Sequence, residues 1–172
     1  MEDNKILRLV YTVFLGVLLA IFVGVGINTF YPGPKSPDYP IASEAYGKDP
    51  SPEQLQSQKD FNVKSQQHSK DIKPYNRNVS IITLVGAVIF LIVSLIYEKR
   101  IKIIADGVLL GGLFTLIYSI GRGFASEDNK YVFMVITVAL VVVIYLGYHR
   151  FVKNINPKKT KKPTKSVASK KK

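Results

Sequence analysis

Hydrophobic residues in this chain are gathered into four blocks, not dispersed at the helical or strand period of a water-soluble core. The first block runs from Ile6 to Phe30 and is interrupted by charge only at Arg8; Asn28 lies near its far end. Blocks two and three, Val79–Tyr97 and Ile101–Ile120, are split by Glu98, Lys99 and Arg100 alone. The fourth, Tyr131–Tyr148, follows a polar turn that contains Gly121, Gly123, Glu127 and Asp128. A hydrocarbon layer of about 30 Å needs roughly 20 helical residues, and each block supplies close to that number. The fourth is rich in Val and Ile, which favour strands in water. In lipid a lone strand leaves its backbone unsatisfied, so a helix is expected there too. The pattern therefore predicts an all-α integral membrane four-helix bundle with one long external loop and a disordered basic C-terminal tail. The first block is longer than the roughly 15 residues of a signal-peptide core and no A-x-A site closely follows it, so it is expected to remain as a span.

Four segments follow: 1–30 with the first helix, 31–77 as the external loop, 78–150 with helices two to four, and 151–172 as the tail. The loop opens on YPGPKSPDYP, with four prolines between Pro32 and Pro40, a composition that is extended and semi-rigid. Ser51, Pro52 and Gln54 form a capping-box pattern for a short helix over 52–72. Its apolar content, Leu55, Phe61 and Val63, is too thin to fold by itself. Tyr31, Pro32, Tyr39 and Tyr46 are the candidate partner contacts in this loop.

Charge fixes the expected orientation. The formal net charge is +12, from 24 Lys and Arg against 12 Asp and Glu. Lys5, Arg8, Lys99, Arg100, Lys102, Arg150 and Lys153 all fall on one side of four crossings, which places both termini in the cytoplasm. Much of the excess lies in the tail, where Lys158, Lys159, Lys161 and Lys162 are the expected lipid tether, each contributing about 1 kcal/mol near an anionic leaflet. No aromatic interleaving accompanies these lysines, so specific nucleic-acid binding is not expected.

Candidate chemistry is sparse. The chain has no cysteine and two histidines, His68 and His149, far apart, so no metal and no cofactor is expected. The sequence lacks G-x-S-x-G, H-E-x-x-H and P-loop motifs, and GRG at 121–123 reads as a turn, so no enzyme activity is expected. In the first helix Thr12, Gly16, Ala20, Gly24 and Asn28 recur at every fourth position. The third repeats the device with Gly107, Gly111, Thr115 and Ser119, and Gly112 lies beside it. Small-x-x-x-small faces are the usual contact surfaces between helices in lipid, so helices one and three are expected to pack through Gly16, Ala20, Gly24, Gly107 and Gly111. Asp106 is the only acid inside an expected span, about one turn from its cytoplasmic end, with Lys102, Arg8 and Arg150 as candidate ion-pair partners. With Asn28, Thr115 and Ser119 it forms the candidate intramembrane polar site. Arg122 is expected to anchor at the interface or to pair with Glu127 or Asp128.

GINTFYPGP at the end of the first span and DGVLLGGLFTLIYSIGRG through the third resemble uncharacterised small bacterial multi-pass membrane proteins. That resemblance implies a bacterial cytoplasmic membrane and carries no activity. Two functional expectations remain: a non-catalytic subunit or scaffold whose external loop contacts a membrane-protein partner, and a homo-oligomeric transporter or channel component that uses Asp106. Membrane lipids are partners under either.

Overall fold

The computed structural model describes residues 3–38 and 51–152. Among them the structure is helical, in the order α1 (Asp3–Phe30), α2 (Pro52–Tyr97), α3 (Lys102–Phe124), α4 (Asn129–Gly147) and a five-residue π-helix (Tyr148–Val152). Each of the four α-helices is long and apolar enough to cross a membrane, so by length and composition this is a membrane protein. Much of the apolar surface faces outward, as with Phe22, Ile96 and Phe133, which suits helices whose outer faces meet lipid and not water.

The helices start and stop where their local chemistry dictates. Ser51 caps α2: its hydroxyl accepts from the Gln54 amide at 3.3 Å while the Gln54 side chain accepts from the Ser51 amide at 2.8 Å. Pro52 then occupies a first-turn position where its missing N–H costs nothing. This helix does not end near Ile72. It continues through Pro74 to Tyr97 as a single element of 46 residues, so the short loop helix and the second span are one rod of about 69 Å. Pro74 withholds one backbone donor from the helix, at a point where Tyr75 and Asn76, the two residues that follow it, are held by tertiary contacts.

The connection between α3 and α4 is likewise shorter than its polar composition suggests. Gly121, Arg122 and Gly123 form the last turn of α3 and not a loop. Only residues 125–128 lie outside the helices. The Ser126 hydroxyl donates to the Gly123 carbonyl at 2.6 Å, Glu127 takes a left-handed conformation with φ 55°, and the Asp128 carboxylate accepts from the amides of Lys130 and Tyr131 to cap α4.

α3 is the centre of the arrangement. It packs along α2 and along α1, whereas α1 and α2 scarcely meet, and α4 lies against the edges of α3 and α2. Small residues make this placement available: Gly107, Gly111, Gly112, Thr115, Ser119 and Gly123 of α3 are all buried. Two small hydrophobic clusters lie beside them, Ile27 with Tyr75 and Val79, and Ala87 with Leu116 and Ala139.

Candidate functional site

Two polar clusters at opposite ends of the helices, and the two seams of α3 between them, contain the residues with chemistry. At the end where α1 and α3 begin, the Arg150 guanidinium bonds the Asp106 carboxylate through Nη2, and its Nε lies 3.9 Å from Glu98 Oε1. Of the three basic candidates for Asp106, the fold selects Arg150. The one-turn extension of α4 as a π-helix places it there, tying the end of α4 to the start of α3 and the end of α2. The Arg150 side chain is 13% exposed and that of Asp106 32%, so the charge of Asp106 is neutralised beside the apolar layer and not presented to it.

At the opposite end the centre is Arg122, and its partners differ from those expected. Its Nε donates to the Tyr118 hydroxyl at 3.0 Å and its Nη1 to Asn76 Oδ1 at 2.8 Å. The guanidinium carbon lies 5.7 Å from the Tyr75 ring centre and 5.5 Å from that of Tyr118, within cation–π range. Neither Glu127 nor Asp128 takes it: Glu127 pairs with Lys73 at 2.6 Å, and Asp128 is occupied in capping α4. Asn76, buried in α2, completes the link by donating to the Ala125 carbonyl at 3.0 Å.

Tyr31 joins this cluster from the end of α1. Its ring stacks on Tyr75 at 5.4 Å and 15°, its carbonyl accepts from the Tyr75 hydroxyl at 3.1 Å, and its own hydroxyl accepts from Asn78 at 3.0 Å. A Cβ on Gly33 would stand 3.0 Å from the Tyr75 ring, so the chain leaving α1 is laid directly over that ring. Tyr31 is thus committed to an internal contact, while Pro32 beside it is exposed. Tyr39, Tyr46, Lys158, Lys159, Lys161 and Lys162 lie outside the described residues.

Between the clusters, the glycine faces of α1 and α3 meet over part of their length. A Cβ on Gly16 would fall 2.9 Å from Leu110 Cβ and 3.1 Å from the Gly111 amide nitrogen. One on Gly111 would fall 2.9 Å from Leu19 Cβ and 3.3 Å from the Gly16 carbonyl oxygen, and one on Gly107 would collide with Leu15. Ala20 is half-buried on the same side. Gly24 is not part of this seam, since a Cβ there would meet nothing within 4 Å; a four-residue repeat overshoots the helical period and drifts off the contact face. The same drift leaves Asn28 exposed.

The remaining members of the expected polar site are also separated. Thr115 is buried but donates to its own helix, to the Gly111 carbonyl at 2.8 Å. Ser119 faces α2, where it and Ser80 exchange hydrogen bonds: each hydroxyl donates to the other residue's carbonyl at 2.7 Å. Asp106, Asn28, Thr115 and Ser119 therefore do not converge. The α2 partners carry a pattern of their own, because Ser80, Thr83, Ala87, Leu91 and Ser94 repeat at three- and four-residue steps, yet their aliphatic neighbours mask it. Ser94 donates to the Ala105 carbonyl at 2.7 Å, and a Cβ on Gly112 would lie 2.7 Å from Leu91 Cδ2.

None of these arrangements sets a nucleophile beside a base, and among the described residues no three His, Asp or Glu side chains are grouped to hold a metal ion. What the clusters can do is fasten helices at both ends. Comparison of the chain with protein-family models, with curated proteins and with solved structures yields no match to any of them.

Proposed function

We propose that this is a non-catalytic four-span subunit or scaffold of a membrane complex, in a bacterial cytoplasmic membrane, with both termini cytoplasmic and a partner held through the external segment 31–77. The observation that carries this reading is the continuity of α2. Its apolar stretch begins at Val79, so Pro52–Asn78 extends about 40 Å of helix beyond it at 1.5 Å per residue. A rod of that length, fastened at its base by Tyr75, Asn76 and Arg122, presents a rigid surface to a second protein. Leu55 and Val63 are exposed along it, the latter at 67%. The lysine tail serves in this reading as a lipid tether.

Internal satisfaction of the polar groups supports the same reading over transport. Asp106 is paired, Thr115 and Ser119 spend their hydroxyl protons on backbone carbonyls, and Asn28 faces outward. The test is gentle solubilisation of the tagged protein from its native membrane and mass analysis of the intact assembly. A different protein in fixed stoichiometry is expected, lost in the variant Leu55→Asp with Val63→Asp. Recovery of this chain alone, or of a partner indifferent to both substitutions, would overturn the role assigned to the external helix.

A further inference from the structure

The end of the protein that bears Arg150 holds more cations than its carboxylates engage. Glu98 and Asp106 both face Arg150, and among the described residues Lys5, Arg8, Lys99, Arg100 and Lys102 form no salt bridge. A groove of about 640 Å³ opens at this end between the first turns of α1 and α3. Asn4, Arg8 and Tyr11 line it from α1, at the i, i+4 and i+7 positions of one helix face. Leu7, Ile101, Ile103 and Ile104 provide its aliphatic lining, and among the described residues no acidic side chain lines it.

We propose that this groove binds one anionic phospholipid, with the phosphate at Arg8 and Asn4 and an acyl chain laid over Ile103 and Ile104, about one turn deeper. The position is the one a lipid requires, since Arg8 lies near the end of a helix apolar enough to span, where a guanidinium reaches headgroup depth. The aliphatic lining selects a lipid over a free anion, which would leave these side chains uncovered. Arg8 in the lining and the other cations of this end, which form no salt bridge among the described residues, select an anionic headgroup over a zwitterionic one, because basic clusters beside a span attract negative lipids. Tyr11, one turn deeper than Arg8 and lining the same groove as Ile103 and Ile104, adds an amphipathic ring at interfacial depth.

Native mass spectrometry of the full-length protein in detergent, with equimolar phosphatidylglycerol and phosphatidylcholine, tests the assignment. One phosphatidylglycerol should be retained in preference to phosphatidylcholine by about tenfold, equivalent to one decade in the dissociation constant. Arg8→Gln should abolish the preference; Arg8 is exposed and makes no ion pair among the described residues, so the variant removes a charge without breaking a contact. Ile103→Trp, which fills the aliphatic part, should reduce retention of both lipids, while Arg77→Gln at the opposite end should change neither. Equal retention of the two lipids by the native protein would overturn the proposal. So would a preference that survives Arg8→Gln, which would assign the attraction to other cations, or displacement of the lipid by millimolar inorganic phosphate, which would mark a free-anion site.

Discussion

The two faces of α3 hold their neighbours by different means. Toward α1 the contact is made by absent side chains: Gly16, Gly107 and Gly111 let the backbones approach, and among the described residues no side-chain hydrogen bond crosses the seam. Toward α2 the contact is polar at intervals along its whole length, from Asn76 and Arg122 at one end through Ser80 and Ser119 to Ser94 and Ala105 at the other. In lipid, where burial of apolar surface does not drive helices together, close approach gains dispersion without fixing register, whereas paired hydroxyls and carbonyls do fix it. One helix therefore carries a seam defined by shape and another defined by hydrogen bonds.

The glycine side is the more vulnerable of the two. Gly16→Leu combined with Gly111→Leu forces side chains into backbone atoms a little over 3 Å away, and overpacking of this kind costs about 1–3 kcal/mol per site. The unfolding temperature in detergent should fall clearly; if it stays in place, the α1 seam does not contribute to stability. A smaller effect is expected on the polar side. Ser80→Ala and Ser119→Ala should each cost about 0.6 kcal/mol, the mean for hydrogen bonds between membrane helices. Because the two serines exchange bonds, the double variant should depart from additivity in a thermodynamic cycle, and strict additivity would show that they act independently. The smallest effect marks where the shape-defined seam stops: Gly24→Leu, in open space on the same repeat, should change stability by less than about 0.5 kcal/mol. A large loss there would mean that α1 contacts something along its whole length.

Several features of the fold are legible in the sequence. Four apolar blocks of spanning length require helices, because only a helix satisfies the backbone of an isolated segment in lipid, and all four appear. The capping box at Ser51 and Gln54 is local chemistry and is readable as such. The far end of that helix is not: whether a polar helix stops before the membrane or continues into it depends on what stabilises the junction, and Pro74 in the sequence argues for a break. Tertiary contacts at Tyr75 and Asn76 override that signal. The glycines of the 121–123 segment mislead in the same direction, since they read as a turn but form the last turn of α3.

Composition and short-range periodicity, which a linear chain displays directly, are enough for the class of the protein, the number of spans and the candidates: small faces on α1 and α3, one intramembrane acid, and the basic residues near it. Which candidates meet is a property of the packed helices. Packing chooses Arg150 for Asp106, gives Arg122 to Asn76 and the tyrosines instead of to Glu127, turns Ser119 toward Ser80, and ends the glycine seam before Gly24. Each choice depends on the rotation and crossing of whole helices. A stripe repeating every four residues on a 3.6-residue helix turns steadily around the axis, so its sequence positions alone leave open where it faces a neighbour.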